Sequence, residues 1–178
     1  INSNSFPPNP HVTVLEFLNR QKGLQNRVAA FGAWEAFDRI LNEDRSGIPV
    51  ISGMNPTGGK TPTATEKKLN KMLADSYKPW HEEECFDLFT HHAALEWVKA
   101  RKPRVLYIAY GETDEWAHAG KYRSYLDAAK QVDTWIKELW DWVQSDPQYR
   151  NKTTLLITTD HGRGDLIKKE WTSHNNKI

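Results

Sequence analysis

Apolar residues recur along the chain in patterns that alternate between strand and helix. Four short runs are rich in the branched and aromatic residues that favour strands: Arg27 to Phe31, Ile48 to Ile51, Arg104 to Tyr110, and a run from Thr153 that stops before Asp160. Five other stretches are predicted to be helices, most of them because apolar residues recur every three or four positions: His11 to Lys22, Trp34 to Leu41, Glu66 to Ser76, Glu82 to Ala100, and Lys121 to Gln144.

This alternation predicts the fold class. Strands separated by helices form βαβ units, so the sequence predicts an α/β fold with a largely parallel β-sheet sandwiched between helices. The strand from Arg104 to Tyr110 is apolar at nearly every position, which predicts burial on both faces. No composition shift marks a boundary, and we expect residues 1–178 to form a single α/β domain.

Charge, hydropathy and cysteine content argue against several classes of function and structure. The 24 Lys and Arg residues nearly balance 23 Asp and Glu residues, so the net charge of +1 gives no signature of nucleic-acid binding. No apolar run reaches the roughly 18 residues that a membrane span requires. Cys85 is the only cysteine, which excludes an internal disulfide and a cluster of thiolate ligands.

The first candidate chemistry stands directly after the run from Thr153. Asp160, His161 and Gly162 follow this predicted strand at its carboxyl end, where ligands bind in open α/β sheets. A carboxylate next to an imidazole suits a divalent metal such as Zn²⁺ or Mn²⁺. A solvated turn at the end of a strand would give the same short pattern.

A second group follows the Arg104 strand, and a third lies near the end of the chain. Asp114 and His118 stand four residues apart, a spacing that lets both side chains converge where a turn enters a helix, and His174 lies on a later loop. Together with Asp160 and His161 they offer two carboxylates and three imidazoles, which exceeds one tetrahedral zinc site and suits two metals. The alternative is that helix-capping Asp residues and solvent-facing His residues make up the set.

His91 and His92 lie on the predicted helix Glu82 to Ala100, and His81 lies directly before it. We interpret these three residues and His11 as surface or packing residues.

The pattern Asp114-x-x-x-His118-x-Gly120, then Thr159-Asp160-His161-Gly162, then His174, resembles the alkaline phosphatase superfamily. Within it, the similarity is to the two-metal phosphatases, phosphodiesterases and cofactor-independent phosphoglycerate mutases. The resemblance implies that one metal is held by an Asp, a His and a late His, which correspond here to Asp114, His118 and His174. It implies that the adjacent Asp160 and His161 supply two of the ligands of the second metal.

The metal is expected to be zinc first and manganese second. Three of the five candidate ligands are imidazoles, which suit these ions, whereas calcium prefers oxygen. The sulfatase branch, with its single calcium and an Asn in the place of His161, is therefore a poorer match.

The resemblance also implies a function. We expect metal-dependent hydrolysis of a small phosphorylated substrate, either a monoester or a diester, with Arg163 as a candidate contact to a phosphoryl oxygen. In the family the nucleophilic Ser or Thr and a further metal-ligating Asp come from an earlier strand and helix, and nothing in residues 1–100 matches them. The chain is thus expected to be the C-terminal portion of a larger catalytic domain, with the nucleophile upstream.

Two alternatives stay open at this point. One is transfer of the phosphoryl group within a bound product, as in a phosphoglycerate mutase, and the other is a non-catalytic metal-binding role for the isolated chain. Many relatives are exported, but the sequence decides neither localisation nor oligomeric state.

Overall fold

The computed structural model of the chain describes residues 7–80, 84–165 and 170–174. The chain divides into two compact units, Ile1–Gly111 and Glu112–Ile178, which we name unit one and unit two. The organisation of residues 1–178 as a single domain stays a prediction of the sequence.

Unit one contains a sheet of three parallel strands: β1 (Val28–Gly32), β2 (Val50–Ser52) and β3 (Val105–Ala109). The strands lie in the order β2-β1-β3, and Ala30 of β1 is opposite Val50 of β2 and Tyr107 of β3. All three strands were predicted from their branched and apolar residues. The parallel pairing confirms the α/β class.

Five helices accompany the sheet in the described part of unit one: α1 (Val14–Asn19), α2 (Phe37–Ile40), α3 (Glu43–Ser46), α4 (Ala64–Asp75) and α5 (Asp87–Arg101). The short α3 was not predicted. It is a single turn that begins after Asn42 and ends before Gly47, both of which have positive φ. Asn and Gly tolerate that conformation better than other residues.

The core of unit one is organised around β1 because its side chains alternate between two covered faces. Val28 and Ala30 pack with residues of α1 and the end of α2, whereas Ala29 and Phe31 pack against α5. The ring of Phe31 meets Trp97 edge to face, with centroids 5.8 Å apart. Helices therefore cover both faces of the sheet at β1, as the sequence predicts.

The prediction that the Arg104 strand is buried on both faces is wrong. β3 lies at an edge of the sheet, its residues are only partly buried, and Tyr107 is 39% exposed. An edge strand has one neighbour only, so an apolar run is not by itself sufficient for full burial.

Unit one also holds a buried ion pair that joins two helices. Glu66 of α4 is fully buried, and its two carboxylate oxygens accept from Arg101 of α5 at 2.6 and 2.9 Å. The same carboxylate accepts from the backbone N–H of Thr63, which caps α4 in return through its hydroxyl. The guanidinium of Arg101 lies 4.0 Å from the ring centroid of Trp97.

Two of the histidines outside the candidate site behave as the sequence predicts. His91 is fully buried on α5 with its Nδ1 3.0 Å from the hydroxyl of Tyr110, and His11 is exposed. His92 is partly buried beside His91, while His81 lies outside the described residues.

Unit two contains α6 (Glu112–His118), α7 (Tyr122–Ser145) and a 3₁₀ turn (Glu170–Thr172) among its described residues. Ala117 of α6 and three residues spaced along α7 are buried; these three are Ala128, Trp135 and Val143. None of the helices in the described stretches, including the 24-residue α7, is long and apolar enough to cross a bilayer.

The strand predicted to begin at Thr153 is absent. Residues 153–159 have no regular secondary structure, and Leu155, Leu156 and Ile157 are 44%, 86% and 63% exposed. A strand requires a neighbour to satisfy its backbone groups, and the described residues of unit two contain no strand with which this run could pair. Asp160 and His161 therefore follow an irregular segment and not the carboxyl end of a sheet strand.

Candidate metal centre

Helix α6 presents two polar side chains on one face. Asp114 and His118 are four residues apart, and His118 Nε2 lies 3.3 Å from Asp114 Oδ2. The helix ends directly after His118 because Gly120 adopts a positive φ of 68°. There the N–H of Gly120 donates to the carbonyl of Ala117 and the N–H of Lys121 donates to that of Trp116, the bonding of a Schellman motif.

The 3₁₀ turn brings a second imidazole to the same place. His174 Nε2 lies 3.1 Å from Asp114 Oδ1 and 2.8 Å from His118 Nε2. Asp114, His118 and His174 each offer one ligand atom, and these three atoms all lie within 4.8 Å of one another. The three residues stand 60 positions apart at most but form one compact group.

Aromatic packing holds the 3₁₀ turn against α7. The ring of Trp171 contacts Tyr122 and Tyr125, with centroid separations of 5.2 and 6.1 Å. Both tyrosines lie in the first turns of α7. These contacts fix the backbone three residues before His174, so they determine where that imidazole lies.

Gly164 allows the segment that carries His161 to approach the 3₁₀ turn. Its N–H donates to the carbonyl of Ser173, and a Cβ at this position would lie 2.4 Å from the carbonyl oxygen of Glu170. Any other residue would force the two segments apart. Glycine at position 164 is therefore part of the scaffold of the site.

His161 lies between the two carboxylates of the candidate set. Its Nε2 is 3.5 Å from Asp114 Oδ1 and also 3.5 Å from Asp160 Oδ2, and its ring centroid is 3.9 Å from that of His174. Asp160 is far more open to water, with a side chain that is 88% exposed.

Arg163 is also part of the group. Its Nη2 is paired with Asp114 Oδ1, and its side chain is only 14% exposed. The other terminal nitrogen, Nη1, is buried and has no hydrogen-bond partner among the described residues. Desolvation lowers the pKa of this guanidinium from its ordinary value.

The pKa of His174 is lowered from its ordinary value. Desolvation by the surrounding groups is the largest cause, and the positive charges that His161, His118 and Arg163 carry when protonated add to it, while Asp160 opposes them. A lowered pKa keeps the imidazole neutral at neutral pH, which is the form that coordinates a metal.

The residues present fit a divalent cation. Ligand atoms around one tetrahedral Zn²⁺ lie about 3.3 Å apart, since Zn–N distances are about 2.0–2.1 Å. His118 Nε2 lies 2.8 Å from His174 Nε2, and these nitrogens lie 3.3 Å from Oδ2 and 3.1 Å from Oδ1 of Asp114, respectively, which are distances close to that value. The donor set of imidazole nitrogens and a carboxylate is one that zinc and manganese accept.

The structure thus brings together five of the six residues selected from the sequence: Asp114, His118, His161, Arg163 and His174. The sixth, Asp160, lies with its Oδ2 3.5 Å from His161 Nε2, and its side chain makes no other ion pair in the described part of the chain. Sequence reasoning did not find Gly164, although its place two residues after Gly162 was a signal of tight backbone packing.

The α/β fold and this group of imidazoles and carboxylates are compatible with a metal-dependent enzyme. Residues 82–178, a little more than half of the chain, match the family model of the Metalloenzyme superfamily. The chain belongs to this family, which is part of the alkaline phosphatase-like superfamily. Comparisons with curated proteins and with solved structures gave no match.

Proposed function

We propose that the protein is a metal-dependent hydrolase of phosphoric esters. In this proposal Asp114, His118 and His174 hold one divalent cation, and Asp160 and His161 contribute to the site of a second. The observation that carries the proposal is the convergence of three ligand atoms from α6 and the 3₁₀ turn within 4.8 Å. Membership in a superfamily of metalloenzymes supports the same conclusion.

The donor set favours Zn²⁺ first and Mn²⁺ second, because imidazole is a good ligand for both. A cation bound here supplies Lewis acidity, which stabilises negative charge on a phosphoryl group and activates an oxygen nucleophile. The protein supplies the geometry. Asp114 contributes the negative charge, and the neutral imidazoles contribute lone pairs without adding charge.

Arg163 is proposed to bind the substrate. Its buried Nη1 has no partner among the described residues and is a donor available to a non-bridging phosphoryl oxygen. The planar guanidinium donates from both terminal nitrogens, so it can contact a phosphate while it stays near Asp114. The substrate is expected to be a small phosphorylated molecule.

The attacking alcohol in this proposal is the Ser or Thr that the family resemblance places upstream of residue 1. The activity is therefore tested in the longest open reading frame that contains the chain. In the isolated 178 residues we expect little or no turnover of p-nitrophenyl phosphate.

The experiment combines metal analysis with hydrolysis assays. The protein encoded by the longest open reading frame, purified without chelator, is expected to contain zinc or manganese. It is also expected to release p-nitrophenol from p-nitrophenyl phosphate or from a p-nitrophenyl phosphodiester, and chelator should stop this reaction. His118→Ala should lower kcat/KM by at least about 100-fold, because it removes one of three ligands. His11→Ala, which removes an exposed histidine outside the group, is the matched control and should not change it.

Two outcomes would contradict the proposal. If the protein binds neither zinc nor manganese even after these metals are added, the proposal of a metal-dependent hydrolase is wrong. Turnover confined to 3-phosphoglycerate, with the phosphoryl group retained in the product, would instead indicate a mutase.

A further inference from the structure

Asp114 lies between a positive side chain and two candidate metal ligands. Its Oδ1 is paired with Arg163 Nη2 and lies 3.1 Å from His174 Nε2, while its Oδ2 lies 3.3 Å from His118 Nε2. The guanidinium and the candidate ligand atoms therefore converge on one carboxylate. A cation bound in the candidate site would take up the negative charge that now neutralises Arg163.

Arg163 has little access to water that could replace this partner. Its side chain is only 14% exposed, and Asp114 is the one carboxylate with which it forms an ion pair in the part of the chain that the structure describes. A positive charge that is largely buried and unpaired is unfavourable. The guanidinium therefore requires another anion once a cation is bound.

The two terminal nitrogens of Arg163 differ in their partners. Nη2 is paired with Asp114, whereas Nη1 is buried and has no hydrogen-bond partner among the described residues. Without a cation, only Nη1 is available to a phosphoryl oxygen. Release of Nη2 from Asp114 makes both nitrogens available, and a planar guanidinium can then bind a phosphoryl group through two parallel hydrogen bonds.

We infer that Arg163 couples metal binding to substrate binding: Asp114 holds its guanidinium in the metal-free protein and releases it to the phosphoryl group of the substrate when a cation binds. This inference rests on the proposed function, and it gives Arg163 a role beyond that of a substrate contact. The two ligands then bind cooperatively, because the cation frees the guanidinium and the phosphoryl group neutralises it. By linkage, each ligand tightens binding of the other by the same factor.

The test measures this coupling factor by calorimetry on the protein encoded by the longest open reading frame that contains the chain. Metal-free protein is titrated with Zn²⁺, with and without an excess of phenylphosphonate, which resembles a phosphoric ester but is not hydrolysed. The coupling factor is the ratio of the two dissociation constants of Zn²⁺. Direct contact between phosphonate and cation also contributes to it, so the informative quantity is its change in a variant.

Arg163→Ala is expected to lower the coupling factor by at least about fivefold. The variant lacks the charge-assisted hydrogen bond that the guanidinium makes only when cation and phosphonate are both bound. It also lacks the competition of Arg163 for Asp114, so Zn²⁺ alone binds it more tightly.

Arg123→Ala is the matched control. Arg123 also pairs with a carboxylate, that of Asp127 at 2.9 Å, but its side chain is 87% exposed on α7. This variant should keep the coupling factor within about twofold of that of the unaltered protein. An equal loss in both variants would mean that the general positive charge of the surface causes the coupling, and the inference would be wrong.

Two further results separate the inference from the proposal on which it rests. If Arg163→Ala weakens binding of phenylphosphonate equally with and without Zn²⁺, the coupling factor is unchanged, and Arg163 is a substrate contact that does not respond to the cation. If the unaltered protein binds no Zn²⁺, or binds Zn²⁺ but no phenylphosphonate, the proposed function fails as well.

A measurement on the unaltered protein does not depend on the folding of a variant. In protein labelled with ¹⁵N at arginine, an ion pair slows rotation about the Cζ–Nη bonds of a guanidinium and gives separate Nη–H signals. The signals of Arg163 are expected to be separate in metal-free protein, to average when Zn²⁺ is added, and to separate again with phenylphosphonate. Signals that Zn²⁺ leaves unchanged would overturn the inference.

Discussion

The guanidinium of Arg163 is paired with the carboxylate of Asp114, the same side chain that His118 and His174 face. A positive side chain therefore occupies one side of the carboxylate in the centre of the candidate metal site. It neutralises Asp114 when no cation is bound. It also repels a cation that approaches the same oxygen.

From this pairing we expect Arg163→Ala to tighten binding of Zn²⁺ by about tenfold, because at about 4 Å and partial exposure the lost repulsion amounts to about 1–2 kcal/mol. Arg163→Lys keeps the positive charge and should stay within about threefold of the unaltered protein. Calorimetric titration measures both. Weaker binding in Arg163→Ala would mean that the guanidinium matters more for orienting Asp114 than for its charge.

The lowered pKa of His174 leads to a pH prediction for the metal-free protein. Below the ordinary pKa of about 6.5 the unfolded chain binds a proton at this residue more readily than the folded chain does. The contribution of His174 to the free energy of unfolding is therefore complete above about pH 6.5. It is lost as the pH falls through the lowered pKa of His174 in the folded protein.

Thermal melts of metal-free protein between pH 5 and 8 test this expectation. The unaltered protein should lose melting temperature on acidification more steeply than His174→Asn, which cannot titrate there. Parallel curves for the two proteins would show that His174 contributes nothing to the pH dependence.

Metal addition is expected to stabilise the folded protein. Zn²⁺ at about 100 times its dissociation constant should add about 2.7 kcal/mol to the free energy of unfolding, provided the unfolded chain does not bind it. Differential scanning calorimetry with and without chelator measures the change. His118→Ala combined with His174→Ala should abolish the shift, and a shift that survives this pair would place the ion elsewhere.

The buried ion pair in unit one predicts a contrast between two acidic residues of α4. Glu66→Ala removes the partner of Arg101 and the side-chain acceptor for the backbone N–H of Thr63, and should destabilise the protein by about 2–4 kcal/mol. Asp75→Ala breaks only the exposed pair with Lys71 and should cost less than about 0.5 kcal/mol. Urea denaturation followed by circular dichroism tests this, and equal losses would contradict it.

Local patterns were sufficient to predict the sheet of unit one but not the segment after α7. The strands β1, β2 and β3 follow from runs of apolar and branched residues, and each has a parallel neighbour in the structure. The run from Thr153 is also rich in branched and apolar residues, but it is irregular, and no strand pairs with it in the described part of the chain. Strand propensity records what a side chain prefers once a sheet is present, and it cannot supply the partner.

The candidate site likewise has one part that the sequence predicts and one part that it does not. The spacing of Asp114 and His118 is determined by helix periodicity and can be found in the sequence alone. The position of His174 depends on how Trp171 packs against α7, which no local pattern records. His174 was included because it lies on a loop beyond His161 in the sequence, and the family resemblance then implied its role as a ligand. That these residues bind metal stays a prediction, as does the part played by Asp160.

The exposed run around Leu156 has a consequence for handling the protein. An uncharged stretch of Thr, Leu and Ile that lies bare in water, without a proline to interrupt it, has the composition from which intermolecular strand pairing and aggregates arise. Solubility at high concentration will depend on these few side chains. Because Asp160 comes directly after them, any self-association there would also restrict the backbone that leads into the cation-binding residues.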